Sequence, residues 1–203
     1  NLGYSYLINL GTPYEMQVEQ NRQLVKGDGF LPRLNHIEAF HKPGNVLFGI
    51  KFKVSPVIFE KKVNFSEYNG TMFPLSYLME QSLINEVKHS HSFDKRVQLL
   101  SQHYGQMIEQ YKGSLQPMHI VTEILQQAVI NNSFDTSVEV LAAKYTISSR
   151  TLQRYFEAGT GISSKQALQV LRIRKAVSHI VSRPQTFHYG VYSYYDYSHF
   201  HKH

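Results

Sequence analysis

The hydropathy pattern of this 203-residue chain changes period near Gly70, and that switch governs what it can fold into. Before Gly70 the apolar residues alternate. Ile50, Phe52 and Val54 fall on one side and Lys51 and Lys53 on the other, as in a half-buried strand. Residues 4–10 form a second apolar stretch closed by Gly11-Thr12-Pro13, and Lys26-Gly27-Asp28-Gly29 and Lys42-Pro43-Gly44-Asn45 are turn clusters. Short strands at this spacing predict a small β-barrel or sandwich. After Gly70, Leu75, Leu78, Met79, Leu83 and Val87 keep helical spacing, as do Val97, Leu100, Tyr104, Met107, Ile108 and Tyr111. They predict a helical pair, with Ser92 or Asp94 capping the second helix. The expected class is α+β, strands first and helices after.

Gly113, Ser114 and Pro117 mark 113–117 as a linker between a first domain, 1–112, and a second, 118–203. Ile120, Ile124, Leu125, Ala128 and Val129 make 118–132 helical. Val138, Leu141 and Ala142 then line the inner face of a short helix, and Tyr145-Thr146-Ile147 makes a turn. Ser148 or Ser149 caps a second helix with Leu152, Tyr155 and Phe156 inward. This is a helix-turn-helix pattern with Arg150, Gln153 and Arg154 facing out. Arg reads guanine and Gln reads adenine bidentately, while cations also neutralise phosphates. After Gly161, Ser163 or Ser164 caps a longer helix reaching about Val181, with Leu168, Leu171, Ala176 and Ile180 inward and a basic run at Arg172, Arg174 and Lys175. Beyond Pro184 the pattern allows another helix-turn-helix. Asp196 would cap a last helix with Tyr197, Ser198, His201 and Lys202 outward and Phe200 inward.

The charge follows the same division. Residues 1–135 carry 12 Lys+Arg and 12 Asp+Glu, whereas 136–203 carry 9 and 3, so the whole excess of +6 lies in the last third. Such asymmetry points to an anionic partner, nucleic acid above all.

The run LAAKYTISSRTLQRYFEAGTGISSKQALQVLRIRKA, followed by YYDYSHFHK, resembles the DNA-binding domain of AraC/XylS-type bacterial transcription regulators over about residues 118–203. The matching positions are Leu141, Ala142, Ser148, Leu152, Arg154, Phe156, Gly161, Arg172, Ala176, Asp196, Ser198 and Phe200. The resemblance implies an all-α fold of two helix-turn-helix units joined by one long helix, each placing a recognition helix in the major groove of double-stranded DNA. It implies DNA contacts from Ser149, Arg150, Gln153 and Arg154 in the first unit and from Tyr197, Ser198, His201 and Lys202 in the second. The second unit departs from the family pattern, with Tyr189 and Ser193 near its usual small residue and glycine. A glycine there permits a positive φ that Ser adopts less readily. The chain stops at His203, inside the family's final helix, so the second unit is either incomplete or extended by further residues; at the other end it starts at Asn1 rather than Met, leaving room for an upstream segment. The stretch GNVLFGIKFKVSPVIF (44–59) and the helical pair after Pro74 resemble the cupin-like sensor domains fused to such regulators, which implies a small-molecule effector or homodimer association but no particular ligand residue.

Other motifs read as ordinary. His36, Glu38 and His41 have a spacing open to a metal, and so do His199 and His203, but an exposed polar strand face and a helix near phosphates account for them. No metal and no cofactor is expected. The acceptor motifs at Asn64 and Asn69 are chance matches in a cytoplasmic chain. With zero cysteines there is no disulfide framework or thiol nucleophile. No apolar run approaches the roughly 20 residues of a membrane span, and no nucleophile elbow, phosphate loop, zincin or dinucleotide fingerprint is present. The expected function is a non-enzymatic, sequence-specific transcription regulator. The alternatives are a cupin-like metal-binding protein, or an association module whose basic tail does not read DNA.

Overall fold

A computed structural model describes residues 4–31, 36–56 and 72–202. It is a mixed α+β chain with its strands before its main helices. Two compact units emerge, Gly3–Gly113 and Ser114–His203.

The first unit contains β1 (Ser5–Asn9), β2 (Tyr14–Val18), β3 (Asn21–Val25), β4 (Gly29–Leu31), β5 (Ile37–Phe40), β6 (Leu47–Lys51) and β7 (Phe73–Pro74). They form two antiparallel sheets ordered β6-β1-β4-β7 and β3-β2-β5. Alternation decides what each face packs against. On β1, Tyr6 and Ile8 join Tyr4, Phe30 and Phe48 in one core, while Leu7 meets Tyr14, Met16, Val18, Val25 and Leu31 in a second. The second core is the layer between the sheets. Each large side chain buried there contributes about 1.5–3 kcal/mol relative to exposure.

The described strands make two small antiparallel sheets. Among the described residues no pairing joins an edge of one sheet to an edge of the other, so the expected small barrel is not closed. The corner between the sheets is tight: Leu10 and Thr12 donate to the carbonyls of Val46 and Gly44. A Cβ on Gly11 would collide with the Gly44 carbonyl and the Val46 amide, which is why a glycine stands there.

The outer face of the first sheet is covered by α1 (Gln81–His89) and α2 (Phe93–Gln110), through Ile84, Val87 and Leu100. Leu75, Leu78 and Met79 share this core but are not part of α1. Leu75–Tyr77 is a 3-10 turn whose Leu75 carbonyl accepts from the amides of Leu78 and Met79, and the α-helix starts only at Gln81. Tight and regular helical turns bring similar spacings to one side, so periodicity alone does not separate them. Ser92, not Asp94, is the cap of α2, accepting from the Lys95 amide. Arg96 donates to the Val87 and Ser90 carbonyls, satisfying acceptors at the end of α1. Asp28 accepts from the Asn9 amide at 2.9 Å and pairs with Lys88 at 2.9 Å, tying the sheet to α1. Burial, with the Asp28 charge second, pushes the Tyr14 phenol up to about 12.

The second unit is helical: α3 (Gln116–Asn131), α4 (Val138–Lys144), α5 (Ser149–Thr160), α6 (Ser164–Ser182) and α7 (Tyr197–His201). Helix α3 starts inside the span expected as linker, because Pro117 fits a first helical turn where no amide donor is needed. Its Ile120, Val121, Ile124, Leu125 and Ala128 are buried, as are Ala142, Leu152, Phe156, Ala167, Leu168 and Ala176 of the next three helices. Among the described residues no helix is long and apolar enough to cross a membrane. Residues 57–59 of the cupin-like stretch, Asn64, Asn69 and His203 lie outside the described residues.

Candidate nucleic-acid interface

The second unit uses one turn twice. Helix α4, capped by Ser137, ends where the Thr146 amide donates to the Ala143 carbonyl and the Ile147 amide to that of Ala142. These two bonds make a Schellman close, which needs a left-handed residue, and Thr146 takes φ +56°. Forty-seven residues on, after the 3-10 segment Tyr189–Tyr192, the Ser193 amide donates to Gly190 and that of Tyr194 to Tyr189, with Ser193 at φ +58°. Ser193 therefore adopts the conformation for which a glycine is the usual choice.

Each turn leads to a capped helix. Ser148 accepts from the Thr151 amide and opens α5, while Asp196 accepts from the His199 amide at 2.6 Å and opens α7. Counted from these caps, Ser149, Arg150, Gln153 and Arg154 hold the first, second, fifth and sixth positions. Tyr197, Ser198, His201 and Lys202 hold the same four positions after Asp196, with Lys202 closing the helix. Arg150, Arg154, Tyr197, Ser198, His201 and Lys202 are exposed; Ser149 and Gln153 are half-buried. Phe200 turns inward, its ring 5.4 Å from Phe187 and 5.1 Å from Tyr194.

Gln153 is not idle. Its Oε1 accepts from the Ser164 amide and hydroxyl, each at 3.4 Å, and its Nε2 donates to Glu157 at 3.0 Å. The side chain lies between α5 and the start of α6, where Ser163 caps the long helix in a reciprocal pair with Gln166.

The basic third is partly consumed by the fold. Lys144 pairs with Glu123 at 3.1 Å, and this hydrogen bond raises the lysine and lowers the carboxylate from their ordinary values. Arg172 lies over the Tyr194 ring at 4.3 Å, and Lys175 donates to the Val129 carbonyl of α3. Arg150 and Arg154 make no ion pair with a described residue. The sequence held a signal for this. Leu168, Arg172, Lys175 and His179 recur at steps of four, three and four, so the two cations lie on the stripe that begins with a buried leucine. His179 extends it: Nδ1 lies 2.8 Å from the Tyr192 hydroxyl and Nε2 2.9 Å from that of Thr186, fastening the second turn to α6.

In the first unit, His36 Nε2 stands 3.2 Å from Glu38, with both side chains about half exposed, and His41 stacks on Tyr14. Among the described residues no three His, Cys, Asp or Glu side chains form a group able to hold a metal ion. No protein-family model matches the chain, and a search of curated proteins returns no match.

Proposed function

We propose that this chain is a sequence-specific DNA-binding regulator of AraC/XylS type. In this reading α4–α5 and the segment from Tyr189 through α7 are two helix-turn-helix units joined by α6, and the first unit is a cupin-like sensor or association domain. The observation that carries the proposal is the repeated turn with the same four positions exposed or half-exposed after each cap. Arg150 and Arg154 support it further, as cations on the outer face of α5 with no carboxylate partner among the described residues. Arginines so placed meet phosphates or the O6 and N7 acceptors of guanine. An effector or a second copy at the first unit would act by changing how the reading helices are presented to paired sites. No catalytic step belongs to this reading.

Duplex binding by purified protein tests it. Affinity should fall steeply with salt, and Arg150→Ala or Arg154→Ala should each cost about 1–3 kcal/mol in specific binding while leaving the melting temperature unchanged. Gln153→Ala should relax base preference and also loosen the start of α6, so its footprint is read beside its melting curve. Equal binding to every duplex would favour the association module; unchanged footprints for both arginine variants would remove α5 as the reading helix.

A further inference from the structure

A cleft of about 780 Å³ opens inside the second unit, walled by the segment 134–139, by Gln153 of α5, by α6 and by His199 of α7. Its α6 wall is a stripe at helical spacing: Lys165, Leu168, Gln169 and Arg172. Phe134, which is almost wholly buried, and half-buried Val138 add apolar lining from the segment 134–139. Lys165 and Arg172 stand two turns apart, about 10 Å along the axis. Neither is ion-paired with a described residue, and Arg172 is held in place by the Tyr194 ring. Asp135 and Glu139 line the same cleft, exposed to water, and neither pairs with Lys165 or Arg172. The cleft thus brings apolar side chains together with two cations that pair with no described carboxylate, and its size suits a small organic molecule better than a lone phosphate.

We propose that this cleft binds a small organic monoanion, its apolar body against Phe134, Val138 and Leu168 and its acid group at Lys165 and Arg172. Asp135 and Glu139, in the same lining, disfavour a second negative charge on the ligand. Gln153 and His199 line the same cleft from α5 and α7, so a bound molecule touches both helices that carry the proposed DNA contacts. Ligand and duplex are then linked, each changing the other's affinity by the same factor. The linkage rests on the DNA-binding reading; the binding site does not.

Calorimetry on the full chain without DNA, with 2-naphthoate as probe and neutral 2-naphthamide and naphthalene-2,6-dicarboxylate as controls, separates the two. Naphthoate should bind one to one, at least tenfold more tightly than either control. Lys165→Gln, an exposed change, and Val138→Phe, which fills the apolar side, should each weaken it tenfold or more with melting temperatures retained. No saturable naphthoate binding, equal binding of the amide, or full binding by both variants overturns the site. Naphthoate binding that survives while duplex affinity is indifferent to it keeps the site and overturns the linkage. A chain that binds no duplex but still takes naphthoate defeats the regulator reading alone.

Discussion

Of the four described non-glycine residues with positive φ, Thr146 and Ser193 are the two that stand in the repeated turn of the second unit. The left-handed conformation costs an L-residue about 1–2 kcal/mol, and a β-branched one such as Thr146 is crowded further. Glycine relieves this but loses more entropy on folding, so the net gain for Thr146→Gly should be about 0.5–1 kcal/mol. For a unit of this size that is a rise of about 2–8 °C in melting temperature, followed by circular dichroism. Ser193→Gly should move the same way by less. A fall in either would mean that the side chain, not the turn, holds the segment. At this scale the sequence was informative about caps and poor about partners. Ser92, Ser148, Ser163 and Asp196 stand where a short oxygen-bearing side chain precedes a periodic run, and each one caps its helix. That Lys175 would end on a carbonyl of α3, or that Gln153 would bridge to Ser164, depends on distant segments meeting.

Elements were legible where one period ran long. Helices α2, α3 and α6 announce themselves by sustained apolar spacing, whereas Leu75–Tyr77 shares the spacing and forms only a tight turn. The strands were visible by alternation, but whether two sheets close into a barrel depends on edge pairing, which alternation leaves undetermined. Helix α2 also carries a pH signature. His103 sits half-buried on it with Nε2 shielded from water, and burial holds its pKa below the usual 6.5, with Glu80 opposing in part. The unfolded chain therefore takes up a proton near pH 6.5 that the folded form resists. Stability is unaffected above that pH and declines as pH falls below it. His103→Gln should flatten the decline in melting temperature between about pH 6.5 and 5 relative to the parent, and equal slopes would place the acid sensitivity elsewhere.

At the scale of the whole molecule the chain divides between Gly113 and Ser114 into two compact units. Cleavage or truncation there should leave 114–203 folded, with one cooperative transition and, if the regulator reading holds, the duplex affinity and salt slope of the intact protein. A fragment that unfolds without the first unit would show that the cores depend on each other. Within this second unit, the five residues of α7 include no fully buried side chain. The His179 bridge, the Arg172–Tyr194 stack and the Phe200 ring contacts hold that end in place. So small an anchorage lets the end melt while α3–α6 stay intact. Amide hydrogen exchange should show residues 197–202 opening at a small fraction of the global free energy. If α7 is the reading helix proposed above, so lightly held a segment would reach further in search of its target and complete its own folding only once it had landed.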